Sequence, residues 1–256
     1  MNSDRNVPPP KSWHPLFFLP ENTDSLLDLG CNEGASLEYA HQLGVKKLYG
    51  VEINPDAVKM AEKRLSTIHD LKIMHGSADA IPLPEDAVDA IVCSEVLEHV
   101  PEHLRAKALS EMARVLRPHG RLILTIPSAG LFAALDPANF RLRFPRLFGV
   151  AARVVGGQGR EKGYENQKHG IVWHEHFTTD KIRELLDPHF AIEKMVYRGF
   201  VLAPTINWLQ FPFYRWRKYD HPFLKILNRI ESWEMSKDLG PRLGYNLLIV
   251  AKHKAS

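Results

Sequence analysis

Cysteine is nearly absent from this chain. Cys31 and Cys93 are the only two in 256 residues, which excludes a disulfide-framed scaffold. Both sit in strand-like surroundings, as expected of a reduced, cytoplasmic protein. No unbroken apolar run reaches the ~18 residues that a transmembrane helix needs. The chain opens MNSDRNVPPPKSW, with no apolar stretch behind a basic start, so no secretion signal is expected. A one-sided charge is missing too. Lys and Arg number 33 against 30 Asp and Glu, a formal net charge of +3, too even a balance to imply a nucleic-acid partner. There are no internal repeats and no low-complexity tracts. The 45% of apolar residues suffice for a sizeable core and argue against global disorder.

Residues 1–24 carry Pro8, Pro9, Pro10, Pro15 and Pro20 and read as an extended N-terminal arm, with a short amphipathic piece around Trp13–Leu19. A regular rhythm starts at Ser25 and defines a domain over 25–256. Strands are expected at Leu26–Leu29, Lys47–Glu52, Leu71–His75, Val88–Cys93 and Arg121–Ile126. Helices are expected at Ala35–Leu43, from Pro55 to about Ser66, and from Glu102 to Leu116, the last closed by Pro118 and Gly120. Alternating strands and helices predict an α/β fold, a parallel sheet with helices on both faces and right-handed crossovers. The rhythm breaks after Pro127. Residues 128–172 show no period and read as a lid or insertion. A helix at Thr178–Leu186 and a strand at Ile192–Tyr197 follow. A second insertion at 201–238 is rich in aromatics, and Tyr245–Ala251 forms a closing strand.

The sharpest local signal is Leu26-Leu27-Asp28-Leu29-Gly30-Cys31-Asn32-Glu33-Gly34, where a strand ends, the chain turns tightly and a helix opens. Gly30 and Gly34 let the backbone turn sharply and approach a ligand. Asn32 stands where glycine is commoner, and asparagine is among the few other residues that tolerate a left-handed conformation. The opening helix offers unpaired N–H groups. A dinucleotide pyrophosphate also fits such a turn. Glu52 ends the second strand about twenty residues on, where a carboxylate can accept hydrogen bonds from ribose hydroxyls. Gly76-Ser77-Ala78-Asp79-Ala80 follows the third strand, and Asp89 to Ser94 leads the fourth into a polar end. Polar groups at the C-terminal ends of consecutive parallel strands mark the ligand crevice of open α/β sheets.

With these motifs, residues 25–127 resemble the class I S-adenosylmethionine (SAM)-dependent methyltransferases, and residues 173–252 resemble them more loosely. The resemblance implies a Rossmann-like, seven-stranded, mostly parallel sheet whose last, antiparallel strand (245–251) inserts between the fifth and sixth. It also implies that Asp28, Gly30, Asn32 and Gly34 surround the methionine portion of SAM. Glu52 and its neighbour Ile53 would lie at the ribose, Asp79 and Ala80 at the adenine, and Ser94 at the end of the fourth strand beside the cofactor. Leu116-Arg117-Pro118-His119-Gly120-Arg121-Leu122 looks like the family's usual approach to the fifth strand. Dehydrogenase turns usually keep all three glycines, and no second nicotinamide-side motif occurs here.

Glu95, Glu98 and His99 would share one face if their segment were helical, and such side chains ligate hard-to-borderline cations. The run resembles that of ubiquinone-biosynthesis O-methyltransferases and of small-RNA 2′-O-methyltransferases. Both are associated with a divalent cation there, so Mg2+ or a similar ion is a candidate cofactor, with a further ligand from Trp173-His174-Glu175-His176-Phe177. A Glu-His pair after the fourth strand also occurs in methyltransferases that need no metal. His174 and His176, with His169 nearby, are candidate general bases, since histidine titrates near neutrality and a hydroxyl nucleophile is weak until deprotonated.

The aromatic and basic residues of 201–238, and Phe140–Arg146 of similar character, allow three roles. They could wall the core and acceptor pocket, form an interfacial segment that touches a membrane and admits a lipid-linked acceptor, or form a nucleic-acid surface, which the small net charge disfavours. The expectation is a SAM-dependent methyltransferase acting on a hydroxyl of a small or lipid-linked molecule, cytoplasmic with peripheral membrane contact. An RNA 2′-O-methyltransferase and a non-catalytic SAM-binding partner subunit remain the alternatives.

Overall fold

A computed structural model describes residues 14–131, 133, 175–199, 206, 209 and 221–254. Most of the 128–172 insertion, residues 201–220 apart from Ile206 and Leu209, and the arm before His14 lie outside the described residues.

Seven strands form one sheet: β1 Ser25–Leu29, β2 Lys47–Glu52, β3 Leu71–His75, β4 Val88–Ser94, β5 Leu116–Pro127, β6 Phe190–Arg198 and β7 Asn246–His253. Their order is β3-β2-β1-β4-β5-β7-β6. The pairings of β1 with β2, β1 with β4, β2 with β3 and β4 with β5 are parallel. β7 runs against β6: Tyr245 N–H, at its start, donates to Arg198 at the end of β6, and Lys254 N–H, past its end, donates to His189 just before β6. The described helices are α1 Ala35–Gln42, α2 Pro55–Arg64, α3 Glu102–Val115, α4 Thr179–Leu186 and α5 Pro222–Met235, and helices flank both faces of the sheet, as the alternation of periods predicts.

The local chemistry explains the boundaries. All five residues of β1 are buried, as expected of a parallel strand covered on both faces. α1 ends at Gly44, whose φ of +98° suits a residue just past a helix C-terminus. Asn54 caps α2, its side chain accepting the Asp56 N–H at 3.0 Å ahead of Pro55 at the first turn. At the N-terminal end of the sheet, the Asp89 carboxylate accepts Ser25 N–H at 2.8 Å and Ser25 Oγ at 2.7 Å and pairs with Arg117. Burial pushes the Asp89 pKa up, but the Ser25 and Arg117 bonds outweigh it and hold the carboxyl below its usual range.

Most boundaries fall within two residues of the sequence expectation, and one departs further. β5 begins at Leu116 rather than Arg121. Leu116 pairs with Val88, residues 117–120 bulge out with His119 at φ +65°, and pairing resumes between Ala90 and Arg121. In the arm, Pro15–Phe18 form a 3-10 turn capped by the His14 ring, and Leu16 is buried.

The chain divides into two compact units. The first comprises 1–126, 179–195 and 248–256, and the second 127–178 and 196–247. The core of the first is built from β1, β4 and β5 with Leu37, Leu97, Leu109 and Met112. In the second, Ser128 N–H donates to Tyr245 O at 2.8 Å and Phe177 N–H to Pro127 O at 2.9 Å, and Ile206 clusters with Leu224 and Leu227 of α5.

Candidate cofactor site

The C-terminal ends of β1, β2 and β4 lie level, because Leu29 pairs with Val51 on one side and Cys93 on the other. From β1 the chain builds outward through β2 to β3, then returns to place β4 on β1's other edge. Such a reversal opens the crevice in which α/β sheets bind ligands.

The loop after β1 enters this crevice through three left-handed residues, Gly30 (φ +79°), Asn32 (φ +46°) and Gly34 (φ +80°). Sterics select the two glycines, since a Cβ at Gly30 would run into Val96 and one at Gly34 into Leu65. The turn is pinned from β2: Gly30 and Cys31 N–H both donate to Val51 O, at 2.7 and 3.2 Å. Glu52 completes the clamp, with Oε2 accepting Asn32 N–H at 3.0 Å and Oε1 accepting Asn54 N–H at 2.9 Å. It is therefore a loop-shaping residue as well as a candidate ribose ligand. Each oxygen retains a second lone pair for a sugar hydroxyl. Glu52 is only 1% exposed. α1 opens at Gly34, which has no side chain to cap its first turn.

Asp28 stands one strand over, buried. Burial first, and then the nearby charge of Glu52, push its pKa up to about 7. Neither cause is a cation, so this end of the crevice holds two acids and favours a positively charged guest. Ser94, at the end of β4, has a buried Oγ with no hydrogen-bond partner among the described residues. Beyond β3, Asp79 accepts the Ser77 hydroxyl at 2.6 Å and Lys107 Nζ at 3.4 Å. The Ser77 bond, working against burial and helped by Lys107, holds Asp79 below the usual carboxylate range. Ala80 closes this turn, its N–H donating to Ser77 O at 3.1 Å, and the Ile53 carbonyl lies 3.0 Å from His75 Nε2. The donor set fits SAM: buried acids for a ribose and a cationic methionine end, with an unpaired hydroxyl beside them. The thiols of Cys31 and Cys93 are pushed far up by burial first and then by acids including Asp28, which disfavours the thiolate form.

The expected metal triad does not assemble. Glu95 adopts φ +54°, which breaks a helical run before it starts, and only Leu97–His99 form a short 3-10 turn. Glu95 is exposed while Glu98 is buried. Among the described residues, no group of three or more His, Cys, Asp or Glu could hold a metal ion. Of the candidate bases, His174 and His169 lie outside the described residues. His176 belongs to the second unit, its ring edge-on to Tyr245 with centroids 6.3 Å apart. The cofactor residues all belong to the first unit. Sequence reasoning missed the clamp of Glu52 on Asn32 and Asn54, although the Asn-Pro pair opening α2 was a legible signal. It also missed the charge coupling of Asp28 to Glu52, which only strand register reveals.

Comparison with known proteins agrees with this geometry. Residues 27–124 match the methyltransferase-domain family. The chain is 37% identical over 114 residues to the mitochondrial ubiquinone biosynthesis O-methyltransferase of Schizosaccharomyces pombe, covering 43% of this chain and 40% of that protein. It is 27% identical over 131 residues to the demethylmenaquinone methyltransferase of Bacillus licheniformis, covering 48% and 54%. The matches thus span about half or less of these curated relatives. Among solved structures, an S-adenosylmethionine-dependent methyltransferase from Mesorhizobium loti aligns with a TM-score of 0.58 at 18% identity, over 93% of this chain and 95% of that one, a likeness of fold. Residues 27–124 thus match a methyltransferase-domain family, within a chain whose seven-stranded α/β fold is shared with solved SAM-dependent methyltransferases.

Proposed function

We propose that the protein transfers the methyl group of SAM to a hydroxyl of a small or lipid-linked acceptor. The observation that carries this is the pair of buried acids, Asp28 and Glu52, at the level ends of β1 and β2 around a left-handed loop. SAM supplies an electrophilic methyl on a positively charged sulfur. Asp28 would hold the cationic methionine end, Glu52 the ribose, and Asp79 with Ala80 the adenine. Gly30, Asn32 and Gly34 would let the backbone close on the cofactor, with Ile53 and Ser94 at its edges. Methyl transfer is an in-line displacement, so the protein's main task is to hold the acceptor close to the methyl and aligned with it. His174 or His176 would take the hydroxyl proton as the new bond forms. The quinone-pathway names of the relatives favour a small-molecule acceptor.

Calorimetry with SAM, its demethylated product and NAD tests the cofactor assignment. SAM and its product should both give a clear binding heat, and NAD none. Labelled SAM incubated with candidate phenols and polyprenylated phenols then tests the acceptor class. Binding of NAD but not of SAM overturns the proposal. If alanine at His174 and at His176 each leaves turnover unchanged, the base assignment is wrong.

A further inference from the structure

Helix α5 carries an apolar stripe that cofactor binding does not use. Its Leu224 and Leu227 are buried in a cluster with Ile206. Phe223, Ile226, Ile230 and Trp233 recur at steps of three, four and three and so line one side of the helix. All four are exposed, at 41, 53, 39 and 61%, where a surface helix ordinarily shows polar residues. Of the nine large apolar side chains exposed among the described residues, seven lie in the second unit, so apolar exposure there is concentrated rather than scattered.

Charge indicates what covers the stripe. Lys225, Arg229 and Trp233 follow one another at steps of four, which sets the two cations on the ridge adjoining the stripe, and both are exposed. Lys237, past the helix end, places its ammonium 5.8 Å from the centre of the Trp233 ring. The acids of α5 are withdrawn: Glu234 is buried and Glu231 half-buried. An apolar strip rimmed by exposed cations complements an anionic lipid surface, with apolar side chains at the acyl boundary, tryptophan at headgroup level and cations on phosphates. α5 has fourteen residues, and no helix of the described residues is long and apolar enough to cross a membrane, so the contact lies in the membrane plane.

We propose that α5 docks the protein on an anionic membrane surface through Phe223, Ile226, Ile230 and Trp233, with Lys225, Arg229 and Lys237 meeting lipid phosphates. This deepens the lipid-linked version of the acceptor assignment, yet it can be measured without any acceptor. The full chain should co-sediment with vesicles of phosphatidylcholine and phosphatidylglycerol, and bind phosphatidylcholine alone far less. The bound fraction should fall as salt rises. Replacing Ile226 and Trp233 together by serine should lower partitioning by about tenfold or more. Lys225→Glu with Arg229→Glu should abolish the preference for anionic lipid. Both double variants should bind SAM and melt as the parent protein does, which separates loss of docking from loss of fold. Equal sedimentation of the serine variant and the parent overturns the proposal, as does absence of binding to anionic vesicles. A parent dimer that the serine variant turns into monomers, without vesicle binding, gives the stripe to a second copy of the chain and overturns it too. Vesicle binding that persists in a protein unable to bind SAM supports docking while striking at the methyltransferase assignment alone.

Discussion

Replacing Asp28 by asparagine isolates the electrostatic character of the crevice. The Asp28 carboxyl titrates at about 7 in the folded protein against an ordinary value of 3.8. The folded state therefore holds this proton more tightly than the unfolded chain does. Between those values the unfolded state binds fewer protons, so stability falls as pH rises, and the loss is complete above about pH 7. The whole gap corresponds to about 4 kcal/mol, and the part falling between about pH 5 and about pH 8 to about 2–3 kcal/mol. The amide of the Asp28→Asn variant has no proton to lose. Urea denaturation of both proteins without cofactor should therefore show Asp28→Asn gaining about 2–3 kcal/mol on the parent over that pH range. SAM reverses the balance by bringing positive charge to the ionised acid. Its affinity for the parent should rise through neutral pH, while Asp28→Asn should bind it about tenfold or more weakly with a flatter pH profile. If the two stability curves run parallel from pH 5 to pH 8, Asp28 is not held protonated by burial. If SAM affinity is unchanged, Asp28 does not face the cofactor.

Gly34→Ala should destabilise the protein by about 2–4 kcal/mol in urea melts, since alanine meets both a left-handed backbone and the Leu65 side chain. A loss below about 0.5 kcal/mol would mean that the loop relaxes freely. Asp89→Asn should cost about 1–3 kcal/mol at neutral pH. Because the folded-state pKa of Asp89 is depressed, its stabilisation is present above the ordinary carboxylate value and lost as pH falls through the folded-state one. The parent and Asp89→Asn curves should accordingly converge in acid. Excess chelator should leave methyl transfer unchanged, because no metal-holding group forms around Glu95, Glu98 and His99 among the described residues; restoration of a lost activity by Mg2+ would reverse that conclusion.

The sequence by itself determined the alternating elements of the first 127 residues and the glycine-rich turn. Periodicity, Asn54-Pro55 and the glycines act within a few residues of one another, and their signals are local. β2 and β3 fall within the expected bounds to the residue, and Asn32 takes the left-handed conformation that its chemistry allows. Tertiary structure decided what depends on neighbours distant along the chain. Whether Glu95 continued a helix was settled by its backbone as β4 ends, not by the spacing of its ligands. That β5 begins at Leu116 rests on pairing with Val88, and the raised pKa of Asp28 rests on Glu52 arriving from the next strand. From composition alone, the aromatic residues of 201–238 allowed a core, a membrane-interfacial or a nucleic-acid role. Only the folded helix sorts its apolar side chains into a buried side and an exposed one, because burial depends on which face finds a partner and not on the residue types themselves.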